Sequence, residues 1–305
     1  MKKIIAFVVS MTLALGLLAA ASGEAYQMKL SAPAGAPALT VAVPAAENPE
    51  LYTFLDASTI GAEFQKNEAD FIIAPINAGA TLYKKGASSY RLAAVVTWGN
   101  LFFASQKEGF SEESLKGADL VLFGENTINA SVVLAVLEAR GITPGSVNYL
   151  AGAAETQAEL LSNPDAVVVT ADPAVTAARI KNEKVSVISV QEMLKEALGM
   201  DGYAQAGLFV RAETAENYPE ETKAYLETVK EAAGMAQSDP EKVAEAAVRL
   251  EILPNAKIAL AAIPGCSIRF VSAPEAREAV EKTAGINLAQ YGGELPADDF
   301  YYVTK

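Results

Sequence analysis

The chain has 305 residues, 51% hydrophobic and 8% aromatic, enough apolar mass for about two domains with cores of Ala, Val, Leu and Ile. Its formal charge of −13, with Lys and Arg scattered singly, argues against nucleic acid as a partner, because a phosphate backbone would meet a repulsive field. Histidine is absent and Cys266 is the sole cysteine, which excludes His-dependent triads, thiolate clusters and an intramolecular disulfide; no catalytic residue, metal site or cofactor is expected.

The N-terminus, MKKIIAFVVSMTLALGLLAAASGEA, joins two lysines to an apolar run from Ile4 to Ala21 and then small residues, the pattern of a secretory signal over residues 1–25. A retained membrane anchor is the alternative, since the run reaches the lower limit for spanning a bilayer. No cysteine lies near the cleavage region, so a lipid anchor is not expected and the exported chain is expected free in the periplasm.

Next, MKLSAPAGAPALTVA predicts a short strand and a loop through Gly35, Ala36 and Pro37 that permits close backbone approach to a ligand. Residues 51–65 have helical or mixed spacing, Phe71 to Ala74 reads as a buried strand, and Gly79 to Lys85 as a helix that Gly86 stops. Strand Tyr90 to Thr97 runs into LFFAS through Trp98, Gly99 and Asn100, as a chain crossing between two lobes would. Strands and helices then alternate to about Gln205, predicting a mainly parallel sheet covered on both faces. Tyr203 to Ala212 reads as the returning strand. Helices from Pro219 and from Pro240 each carry proline near the start, where a missing N–H does no harm. Cys266, between IPG and SIRFV, reads as a buried small hydrophobe.

Two stretches share one design: DFIIAPINAGATLYKKG (Asp70 to Gly86) and DAVVVTADPAVTAARIKN (Asp165 to Asn182) each run from an acid through a strand into a Pro-bearing turn and an Ala-rich helix. Such junctions aim backbone N–H groups and the positive end of a helix dipole out of the carboxyl edge of a sheet, where open α/β sheets bind small molecules. One in each half predicts a cleft between lobes.

These motifs, with LAAVVTWGNLFFAS, VVVTADPAV and the tail IRFVSAPEAREAV through YGGELPADDFYY, resemble the nitrate, sulfonate, taurine and thiamine-precursor class of ABC-transporter periplasmic solute-binding proteins. The resemblance implies an α/β type II periplasmic-binding-protein fold, two doubly wound lobes joined by two crossing strands. The order of strands and helices puts lobe 1 at residues 28–99 and 206–305 and lobe 2 at 100–205, and the resemblance implies a monomer that hands a sulfonate, carboxylate or pyrimidine-like solute to a membrane permease. An enzyme on the same fold, acting on a pyrimidine or quinone precursor, is the alternative.

Cleft candidates follow from the junctions. Asn77 and Ala78 begin one helix, and Asn126 and Thr127, with Asn129, hold the matching position in the other half. Thr170 and Asp172 stand at the second motif, with capping as an alternative role for Asp172. Gly35, Ala36, Trp98 and Asn100 complete the set; Tyr203, Gln205 and Arg269 are weaker candidates by position.

Overall fold

The computed structural model describes residues 26–304, so the expected signal segment lies outside the described residues. The strands are β1 (Leu30–Pro33), β2 (Tyr52–Leu55), β3 (Phe71–Pro75), β4 (Tyr90–Thr97), β5 (Leu101–Ser105), β6 (Asp119–Phe123), β7 (Ser146–Leu150), β8 (Val167–Ala171), β9 (Ser186–Ser189), β10 (Ala206–Arg211) and β11 (Ile268–Ser272). They make two sheets: β11-β4-β10-β3-β1-β2, from both ends of the chain, and β7-β6-β8-β5-β9, from its middle. Without β11 the two orders are the same.

Pairs β1–β2, β1–β3, β6–β7 and β6–β8 are parallel, as alternation with helices predicts. However, β10 runs antiparallel to β3 and β4, and β5 antiparallel to β8 and β9, so neither sheet is as parallel as the sequence suggests. The cause is connectivity. Each of these strands follows directly on a crossing and enters its sheet from the end that faces the other sheet. The segment read as helical or mixed over 51–65 also holds the short edge strand β2, between two 3-10 turns.

The crossings, residues 98–100 and 199–205, are bound to both sheets. Trp98 N–H donates to Ser267 O at 3.1 Å and Gln205 N–H to Thr97 O at 3.1 Å. Gln191 brackets Leu101, accepting its N–H and donating to its carbonyl, each at 3.1 Å. Gly99 and Gly202 adopt φ of 88° and 105°, and a Cβ on either would lie 2.5 Å from the other crossing, at Tyr203 Cε1 or Trp98 O. Only glycine permits both the conformation and the approach.

Asp70, the acid that opens the first motif, is 1% exposed. Its carboxylate accepts from Lys29 N–H (3.0 Å), Tyr26 Oη (3.0 Å), Thr214 Oγ1 (2.7 Å) and Arg211 Nη2 (2.9 Å), tying the start of β1 and the end of β10 to β3. Its counterpart Asp165 is exposed, so the likeness between the motifs stops at their strands. A buried carboxylate is tolerable only when so completely paired. Urea unfolding is expected to show Asp70→Ala less stable on the order of 3 kcal/mol and Asp165→Ala within about 0.5 kcal/mol of the parent; equal effects would contradict this assignment.

Candidate functional site

A cavity of about 370 Å³ lies where carboxyl ends of the two sheets meet. The first sheet contributes Pro33, Ala34 and Pro37 beyond β1, Ala57 and Ile60 beyond β2, and Pro75, Asn77 and Ala78 beyond β3. The second contributes Thr127, Ile128 and Asn129 beyond β6; Gln205 and Ala206 close it at the head of β10.

Local sequence explains the layout. Pro75 ends β3 with ψ of 130° and turns straight into helix Ile76–Lys84 with no capping side chain; Ile76 N–H donates to Gln205 O at 3.1 Å, and the Asn77 and Ala78 amides that follow are left uncapped. Facing it, helix Ile128–Ala139 is capped by Thr127, whose Oγ1 accepts from Ala130 N–H at 3.3 Å and donates to Gly124 O at 2.6 Å. Two positive helix ends thus converge on one space. None of the lining side chains ionises. The cavity is apolar walls with amide and hydroxyl groups between them.

Of the sequence candidates, Asn77, Ala78 and Thr127 share this cavity. Gly35 and Ala36 lie between lining residues, at the start of helix Ala36–Leu39, without lining it themselves. Asn126 is exposed in a left-handed turn with φ of 58°, pointing the chain into the cap rather than the space. The structure does not bring the remaining four together with them. Thr170 is fully buried and donates to Ala153 O at 3.1 Å. Asp172 is covered by the 3-10 turn Ile263–Cys266: a Cβ on Gly265 would fall 1.8 Å from Asp172 Oδ2. Its Oδ1 accepts from Thr176 N–H at 3.2 Å, the capping role. Cys266, in the covering turn, is wholly buried, and that burial pushes its thiol pKa up, as a packed hydrophobe requires.

Trp98 stands over a separate hollow of about 420 Å³, with Met200, Asp201 and Arg269. Its Nε1 donates to Arg269 O at 2.8 Å, and the Arg269 guanidinium lies 4.4 Å over the ring. Asn100 is buried in the crossing, bonded to Asp172 O at 2.7 Å and to Gln205 Nε2 at 3.0 Å. Pro33, Ala34, Ala57 and Ile60 carry no sequence signal of their own, because apolar residues at strand ends and short turns read as ordinary packing.

Burial pushes the Asp172 carboxyl above the usual carboxylate range, against the opposing pull of the Thr176 bonds and Arg179. A carboxyl raised on folding binds its proton more tightly in the folded state, so its ionisation costs stability progressively as pH rises from the unfolded value through the folded one. Asp172→Asn, which keeps an acceptor for Thr176, is expected to raise Tm at pH 7 and to lose that gain as pH falls below about 4. A gain that grows on acidification would contradict the assignment.

Solved structures share this architecture. An ABC transporter protein from Parabacteroides distasonis superposes with a TM-score of 0.78 at 22% identity, covering 91% of this chain and 99% of that one. The periplasmic aliphatic sulphonate binding protein SsuA from Escherichia coli gives 0.69 at 15% identity, covering 91% and 92%. The alkanesulfonate-binding protein SsuA from Xanthomonas axonopodis pv. citri, bound to MOPS, gives 0.66 at 14%, covering 91% and 99%. No curated protein matches the chain in sequence. The fold is that of the type II periplasmic binding proteins of ABC transporters. Residues 56–243 match the model of the NMT1/THI5 like family, and the chain belongs to that family.

Proposed function

We propose that this chain is an extracytoplasmic binding protein which captures a small organic solute between two hinged lobes and delivers it to the permease of an ABC importer. Lobe 1 is residues 28–99 with 206–305 and lobe 2 is 100–205; the protein works as a periplasmic monomer and makes or breaks no bond. The observation that carries this reading is the cavity itself: helix starts from both sheets meet in it, and no acid, base or thiol lines it. Such a lining suits retention of a solute better than the proton transfers an enzyme needs. Contacts on both sides couple occupancy to lobe closure, because a solute that touches both lobes favours the state in which they meet.

The permease is part of the same reading, supported by structural likeness to an ABC transporter protein and to a periplasmic binding protein. The right solute at one hundred times its Kd should add about 2.7 kcal/mol to unfolding stability. Asn77→Ala and Thr127→Ala, one from each side, should each raise Kd roughly two- to tenfold, every variant compared with its own unliganded form. Loss of affinity from one side only, or no stabilisation by any member of a broad solute screen, would overturn the reading.

A further inference from the structure

The amides beside the cavity have a fixed polarity. Asn100 Nδ2 donates to the main-chain carbonyl of Asp172 at 2.7 Å, and a carbonyl can only accept, so the orientation of this side chain is determined. Asn100 Oδ1 is therefore the end that meets Gln205 Nε2, at 3.0 Å. The other hydrogen of that Nε2 points to Asn129 Oδ1 at 3.4 Å, an oxygen that also accepts from the Tyr203 hydroxyl at 2.7 Å. This relay consumes both ends of the Asn100 amide and one end each of Gln205 and Asn129. Gln205 Oε1 is left as an acceptor and Asn129 Nδ2 as a donor.

Both residues are half-buried and line the cavity, and neither free atom is among the buried polar atoms without a partner, so both ends stay accessible at its wall. Across from them, Asn77 makes one long contact, Nδ2 to Gln290 Oε1 at 3.5 Å, and its buried Oδ1 has no partner.

Resting on the proposed function, we infer that the solute is an uncharged molecule with a carboxamide or lactam edge, its C=O held by Asn129 Nδ2 and its N–H by Gln205 Oε1. A site built to satisfy both ends discriminates strongly against a molecule that supplies only one, since a buried polar group would then go unpaired. The two positive helix ends favour an anion, but three features oppose it: no cationic side chain lines the cavity, the Gln205 oxygen would face its oxygens, and the chain's charge of −13 opposes its approach. Pro37, Ile60 and Pro75 offer apolar surface to the body of the molecule.

The test pairs neutral amides with anions on the full chain: uracil, 2-pyridone and nicotinamide against nicotinate and ethanesulfonate, followed by thermal shift and calorimetry. At least one amide should raise Tm and bind roughly tenfold or more tightly than either anion. Asn129→Asp, which keeps the oxygen that accepts from Tyr203 and removes the donor, should cost that amide roughly tenfold or more in affinity. Gln205→Met removes the acceptor and should do the same if Asn129→Asp does not fold. Tighter binding of an anion, or an amide affinity untouched by these variants, overturns the inference and leaves solute binding standing. No response to any of the five compounds overturns the inference, while solute binding itself falls only if the broad solute screen is also silent.

Discussion

Everything in this molecule turns on how two strands of chain pass each other between the sheets. Gly99 and Gly202 let the crossings approach to a distance at which no side chain fits, and Trp98 N–H and Gln205 N–H stitch them to the first sheet. Because β5 and β10 leave these crossings directly, they enter their sheets against the direction of their neighbours. That reversal turns the carboxyl ends of β1, β3 and β6 toward one space. The cavity is a consequence of the crossing, and so is the polarity of the amides beside it, which starts at the Asn100 bond to the Asp172 carbonyl.

Charge is handled by exclusion. The one deeply buried ion pair near the first junction, Asp70 with Arg211, sits at the far end of β3 from the cavity and ties the sheet together. Asp172, the acid nearest the second junction, is pressed under Gly265 and used as a helix cap. Arg269 is spent on Trp98 in another hollow. What remains around the cavity is helix dipoles, neutral amides and apolar carbon, a lining that recognises shape and hydrogen-bond pattern ahead of net charge.

Much of this was legible in the sequence. The run FIIA followed by Pro75 and an Ala-rich segment identified the first junction, and Gly-Asn between two apolar runs identified the crossing, because both signals are local. The four-residue β2 was not legible: its residues are half-buried or exposed, with no alternation to betray a strand. The second junction is legible as a strand and helix, but Thr170 and Asp172 lie buried away from the cavity that Asn77 and Thr127 share. Nothing within VVVTADPAV tells that the distant turn Ile263–Cys266 covers it. Trp98 was placed at the right point of the chain, but a side chain at a bend has no periodicity from which its direction can be read. Asn129 and Gln205 drew attention only by position, since their role depends on partners from separate strands.

The central claim is that one solute is gripped from both sides of the cavity at once. Amide hydrogen exchange, compared with and without the solute that most raises Tm, tests it most directly. Protection should appear together at residues 77–79 and 128–130, the helix starts contributed by the two sheets. Protection confined to one of these segments, or found instead around Met200 and Arg269 beside Trp98, would contradict the account.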